Sequence, residues 1–407
     1  MSILFKNCRI IDGKGNTIPS GFLMVEGERI LTIGGGKVPQ KARDTEVFDL
    51  RGGTLLPGLI DSHVHLCLDG SPDPMTSLRQ DSDALMILKA AKQAYLTLLA
   101  GVTTVRDLGA RNDLNIALRE AIAAGITRGP RIIASGRTIC MTGGHGWPMS
   151  READGEADMR KAVREQIKAG ADVIKMIATG GVLTPGSIPG APQLTHEELK
   201  AGVEEAHKGN RKVASHVQGA EGIRNSLKAG IDSIEHGIFL DRETIKMFPK
   251  NATLVPTLAA PFFILKNGLE GGIPAPIIEK TNRVAEAHLD SARKAYRAGI
   301  PIAMGTDAGT PFNLHGENLK ELELLCGIGL TPMEAIISAT LTAARVLDRE
   351  QEIGTLEKGK RADLIVVEGN PLEDISLLQK KDRIRVIMKD GRFYKKTIDA
   401  AGTVGKF

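Results

Sequence analysis

Two textures of hydrophobic and polar positions alternate along this chain. Through its middle, short β-rich runs recur: "LLPGLIDSHVH", "VTTVRDLG", "RIIASG", "DVIKMIA", "KVASHV", "DSIEHG", "ATLVPTL" and "IPIAMGTD". Their apolar stretches are near-continuous, the pattern of strands buried on both faces. Between them lie longer segments such as "DALMILKAAKQAYLTLLAG" and "HEELKAGVEEAHKG", with apolar positions at helical spacing. Several end on glycine, at Gly101, Gly125, Gly170, Gly209 and Gly230, as helices closed by a left-handed cap do. Eight such units predict an α/β architecture, a (β/α)8 TIM-like barrel with helices outside a closed parallel sheet. A doubly wound sheet is the alternative, but a glycine-rich dinucleotide fingerprint after the first strand is absent.

The ends read differently. Residues 1–54 and 352–407 resolve into short strands and turns without a convincing helix. Flanking a barrel of residues 55–351, they are expected to pair into one small β-sandwich domain built from both chain ends.

The chain has 407 residues, enough for a catalytic domain with a companion. Its formal net charge of +4 is small for this length and no basic block stands out, so nucleic acid and anionic membrane are poor partners. The first residues carry too short an apolar run for a signal peptide, and no stretch approaches the ~20 apolar residues of a membrane span. Four cysteines without a CxxC argue against a disulfide framework. The expectation is a reduced, cytoplasmic protein acting on a small molecule.

In a barrel of this kind the chemistry gathers at the C-terminal ends of the strands. His63 and His65 close the first predicted strand, His216 the fifth, His236 the sixth and Asp307 the eighth. In an extended strand, residues two apart point the same way, so His63 and His65 leave the strand together. Lys175 sits among Val173, Ile174, Met176 and Ile177, where a bare ammonium is costly. It either pairs with a carboxylate, reaches the barrel mouth, or becomes a carbamate that bridges two cations. An isolated HxH is a weak signal, but a full set converging on one rim is a strong one, and imidazole with carboxylate suits zinc. His196, His207 and His288 read as surface or helix-face residues, and Arg106 as structural, either near the mouth or paired with Asp107. Trp147, Phe262 and Phe263 are candidates to line a pocket, and "TGGVLTPGSIPGAPQLT" and "LAAPFFILKNGLEGGIPAP" to cover its mouth.

The layout resembles the amidohydrolase superfamily, whose opening signature "LLPGLIDSHVH" is close to. Within it, "GVTTVRDLG", "MTGGHG", "IKMIATGG", "AGIDSIEHG" and "GTDAGTP" are similar to the prolidase-like and imidazolonepropionase-like group, with its Xaa-Pro and Xaa-Arg/Lys dipeptidases. The resemblance implies two divalent metal ions, zinc by preference. His63, His65 and Asp307 would hold one, His216 and His236 the other, and carboxylated Lys175 and a hydroxide would bridge them. Asp307 would double as general base. His145, after the third strand, fits a polariser of the scissile carbonyl or the oxyanion, with a loop histidine satisfied by backbone as the alternative. His315, beyond the eighth strand, could touch substrate, but a loop-structuring role is the better reading. Family habit adds a homo-oligomer.

The implied reaction is amide or peptide hydrolysis, by an Xaa-Pro or Xaa-Arg/Lys type dipeptidase or an N-acyl amino acid hydrolase. Lactam, imidazolone, carbamate and aryl amide hydrolysis are alternatives, since ligands do not report the leaving group. A mononuclear deaminase fits less well: Lys175 is present, and "VQG" rather than a nearby acid follows His216. A scaffold that had lost its chemistry would lack ligands, and none is missing.

Overall fold

A computed structural model describes residues 2–36, 38 and 45–398. Strands from both chain ends form one eight-stranded, mostly antiparallel sheet. Its path runs from Arg392–Lys396 through Ile384–Lys389, Leu364–Val367, Thr54–Pro57, Ser2–Ile11 and Thr17–Glu26 to Arg29–Gly35. Thr45–Asp49 pairs alongside Ser2–Ile11. The sheet has its own core, in which Phe5, Phe48 and Phe393 pack with ring centroids 5.5–6.4 Å apart.

The middle of the chain supplies parallel strands. Leu59–Val64, Val102–Asp107 and Arg131–Ala134 form one sheet. Val173–Ile177, Lys212–Val217, Ser233–His236 and Thr253–Val255 belong to another, which also holds the short strands Thr138–Cys140 and Ser150–Glu152. Asp172 N donates to Ala134 O at 2.8 Å between the two. The predicted eighth strand appears as isolated parallel bridges, Leu254 with Ile302 and Val64 with Ala308.

Two elements differ from their sequence reading. "LLPGLIDSHVH" is two strands: Thr54–Pro57 pairs in the terminal sheet, while Leu59–Val64 pairs with Val102–Asp107. The break falls where Pro57 has no N–H to donate and Gly58 packs so closely on Thr103 that a Cβ would collide. "LAAPFFILKNG" is a helix, Ala259–Asn267. Glu321, fully buried, starts it by accepting from Leu258 N at 2.9 Å and Ala259 N at 2.7 Å.

Arg131 joins the two regions by pairing with Asp363 and Asp390 of the terminal sheet, and Arg361 also holds Asp390. All four cysteines are free thiols. Among the described residues, no helix is long and apolar enough to cross a membrane.

Candidate metal centre

The ends of the parallel strands line a partly open cavity. His63, His65, His145, Lys175, His216, His236 and Asp307 all face it. Strand register explains part of the convergence, because Ile177 lies level with His216 and Val217 with His236 on neighbouring strands. The ring centroids of His63 and His236 lie 5.1 Å apart, and His216 stands 4.5 Å from both His236 and His145. His236 and Asp307 hold positive φ angles, 69° and 58°, conformations that surrounding contacts must enforce.

Those contacts are visible. Buried Asp61 accepts from Thr306 N, Thr306 Oγ1 and Asn318 Nδ2, fixing the turn that presents Asp307. Asn313 Nδ2 donates to Thr306 O at 2.7 Å. Thr257, itself at φ 53°, donates its hydroxyl to Pro256 O and therefore accepts from His236 Nδ1 at 2.7 Å.

The same logic assigns the imidazole protons. His63 Nδ1 lies 2.8 Å from Glu235 Oε2 and His65 Nδ1 lies 3.2 Å from Gly109 O, so both nitrogens donate. Their Nε2 atoms are left as lone pairs, and each faces Asp307 Oδ1, at 3.5 and 3.4 Å. One ligand atom from each of these three residues lies within 4.8 Å of the others. Three electron-rich atoms with no proton between them repel, unless a cation sits among them. Lys175 Nζ and His216 Nε2 are also buried without a hydrogen-bond partner. The donor set therefore fits divalent metal, with each anchored imidazole oriented through its far nitrogen.

Electrostatics run the same way. Burial holds His63, His216 and His236 well below the ordinary histidine value, with Lys175 adding to the effect. Burial pushes Asp307 up and Lys175 down. Burial first, then the Lys280 and Lys175 charges, bring His145 down to about 3, so its imidazole is neutral. Its backbone N is held by Gln193 Oε1 at 2.9 Å, and Gly181 packs against its ring.

Several residues lie elsewhere than the sequence implied. His315 is not among the cavity residues: its Nε2 lies 3.1 Å from His65 O and 3.2 Å from Leu68 O, bracing the segment after the first strand, as its loop-structuring reading has it. Arg106 does not pair with Asp107, because adjacent strand residues point to opposite faces. Arg106 donates to Ser62 O, Ser233 Oγ and Glu235 Oε1, while Asp107 takes Leu66 N, Gly109 N and Asn115 Nδ2. His288 is buried in the cavity wall with Nε2 donating to Pro256 O at 2.6 Å, whereas His207 is exposed and meets Asp232. Trp147 is 44% exposed and, like Phe262 and Phe263, is not in the wall. Met75, Met149, Val182, Leu183, Ile238 and Ile264 are.

Glu235 is the functional residue the sequence reading missed. It is fully buried and joins His63 to Arg106. A carboxylate inside "DSIEHG" was open to the same reasoning that singled out Lys175, since both are charges within apolar strands.

Parallel strands with imidazoles and a carboxylate at their ends define a hydrolase of the amidohydrolase type. The amidohydrolase family matches residues 54–394, and the chain belongs to that family. Ochratoxinase of Aspergillus niger is 32% identical over 418 residues, spanning 95% of this chain and 85% of that protein. Among solved structures, a Xaa-Pro dipeptidase with methionine bound in its active site superposes with a TM-score of 0.89. The identity is 37%, covering 97% of this chain and 100% of that one. A prolidase complexed with N-methylphosphonate-L-proline gives a TM-score of 0.91 at 28% identity, with coverages of 97% and 100%.

Proposed function

We propose that this chain hydrolyses the amide bond of a dipeptide, of the Xaa-Pro or Xaa-Arg/Lys type, or of an N-acyl amino acid. The site is read as binuclear, with His63, His65 and Asp307 around one zinc ion and His216 and His236 around the other. Lys175, carboxylated by CO2, would serve as a ligand to both. The parallel strands from Leu59 onward are read as a closed (β/α)8 barrel, beside a small β domain built from both chain ends. A cytoplasmic homo-oligomer is the expected form.

The observation that carries the reading is the set of unpartnered atoms: the Nε2 lone pairs of His63 and His65 facing Asp307 Oδ1, with Lys175 Nζ and His216 Nε2 buried beside them. Bound there, two divalent ions would ionise water near neutrality and polarise a carbonyl. Asp307 would take the proton from the attacking water and pass it to the leaving amine. Neutral His145 keeps one N–H to donate to the carbonyl oxygen as it gains charge. Glu235 and Thr257 hold His63 and His236 in the tautomer that leaves Nε2 free. The apolar wall and the covering loop, through Val182 and Leu183, shield the reaction from bulk water.

The test is amino-acid release from L-Xaa-L-Xaa dipeptides and N-acyl amino acids by zinc-loaded protein supplied with bicarbonate. Turnover concentrated on one C-terminal residue type supports the reading. Silence across the panel, with about two metals bound per chain, would move the substrate to lactams, carbamates or aryl amides.

A further inference from the structure

A dipeptide or N-acyl amino acid presents a carboxylate one bond beyond the scissile nitrogen, and something in the cavity must meet it. The lining residues that carry charge are Lys175 and Asp307, both already in the metal set. One further cation stands just outside. Helix Ala275–Arg297 lays Thr281 and Val284 on the cavity, and the residue before Thr281 is half-buried Lys280.

Lys280 Nζ donates to Thr184 O at 2.8 Å. Thr184 is buried in the covering loop, and its Oγ1 accepts from Gly146 N at 3.0 Å. One residue of the loop thus ties the ammonium to the turn that carries His145. Two of its three N–H donors remain for another acceptor. Partly sheltered Lys320 and Lys360 pair with Glu323 and Glu357, whereas Lys389 and Lys395 donate, like Lys280, to a backbone carbonyl but lie far from the cavity lining. Lys280 has no carboxylate partner among the described residues, and burial alone lowers its pKa. Its charge nonetheless reaches the site, helping to keep His145 neutral. A half-desolvated cation without a counter-charge, beside a cavity for an amide, is a vacant anion partner. The walls that surround the remainder of a substrate are mostly apolar, with Met75, Met149, Leu183, Ile238, Ile264 and Val284, and their polar members Gln218, Thr281, Thr310 and neutral His288 offer no counter-charge to a charged side chain.

We propose that Lys280 binds the α-carboxylate of the leaving amino acid, and that the cavity consequently takes amides of apolar α-amino acids with a free carboxylate. This rests on the amide-hydrolase reading above and narrows it: the carboxylate end lies under the covering loop, and arginine, lysine, aspartate and glutamate are poor leaving residues.

The experiment compares zinc-loaded wild type, Lys280→Met and Lys280→Arg. Turnover is measured with N-acetyl-L-leucine and N-acetyl-L-leucinamide, and calorimetric binding with the products L-leucine and L-leucinamide. Circular dichroism confirms that each variant is folded. A charge-assisted contact predicts that wild type favours the acid over the amide by about 10- to 100-fold. In Lys280→Met that ratio falls to within about threefold, and Lys280→Arg recovers part of it. A ratio that survives in folded Lys280→Met, or is absent from wild type, overturns the proposal. So does L-arginine or L-glutamate binding as tightly as L-leucine. If no amide is turned over but L-leucine binding depends on Lys280, the hydrolase reading fails while the carboxylate site stands.

Discussion

Replacing Glu235 by glutamine tests how this site sets its metal ligands. The Glu235 carboxylate is fully buried. Oε1 accepts from Arg106 Nη2 at 2.8 Å and Ser233 Oγ at 2.6 Å, and Oε2 accepts from His63 Nδ1 at 2.8 Å. Glutamine keeps the shape but has one acceptor end. With its oxygen toward Arg106 and Ser233, its NH2 meets the Nδ1–H of His63, donor against donor. Relief requires the proton to move to Nε2, the atom that faces Asp307. A contact to a charged group is worth about 1.5–3 kcal/mol, and loss of an orienting partner behind a ligand histidine weakens metal binding by about 10- to 100-fold. Zinc titration against a competing chelator, with denaturant unfolding of the metal-free protein, reads both effects. Glu235→Ala goes further, leaving the Arg106 guanidinium buried without a counter-charge at a cost of about 3–5 kcal/mol. Wild-type zinc affinity in Glu235→Gln would refute the reasoning.

Three other perturbations separate the parts of the account. Lys175→Met removes a buried, unpartnered ammonium, so the metal-free variant should melt no lower than metal-free wild type while binding little metal and losing activity; an active, metal-replete variant contradicts the bridging role. Gly181→Ala places a Cβ 2.5 Å from His145 Nε2, and the displaced ring should cut kcat by about 10- to 100-fold with metal content retained; wild-type kcat would remove His145 from the reaction. Asp390 is opposed by burial, yet Arg131 and Arg361 hold its pKa below the ordinary 3.8. Its contribution is full above that value and is lost as pH falls through the lower folded value. Asp390→Asn should therefore lose less stability than wild type between about pH 4 and 2 in urea unfolding, and parallel curves would contradict the ion pair's role.

Much of this was readable from residue types and their strand positions. His63, His65, Lys175, His216, His236 and Asp307 each sit at or near the end of an apolar run, and strand geometry brings them to one cavity. The parallel strands were legible for the same reason, since a core element announces itself through unbroken apolar sequence. What escaped depended on three-dimensional pairing. The partner of Arg106 is Glu235, more than a hundred residues away, and only alternation along the strand warned against adjacent Asp107. The break at Gly58 hides inside a continuous apolar run because the two halves join different sheets. His288 carries no local mark that its helix face is the cavity wall. His315 reads as a loop-structuring residue beyond a strand, but only its carbonyl partners, His65 O and Leu68 O, show which segment it braces. Lys280 is one lysine among many until its lack of a carboxylate neighbour becomes visible.

The most direct measurement of the central claim is anomalous diffraction from crystals of zinc-loaded protein grown with bicarbonate. The account predicts two metal peaks in the cavity, one beside His63, His65 and Asp307 and the other beside His216 and His236, with extra density extending from Lys175 Nζ between them. A single peak with an unmodified Lys175 side chain would contradict it.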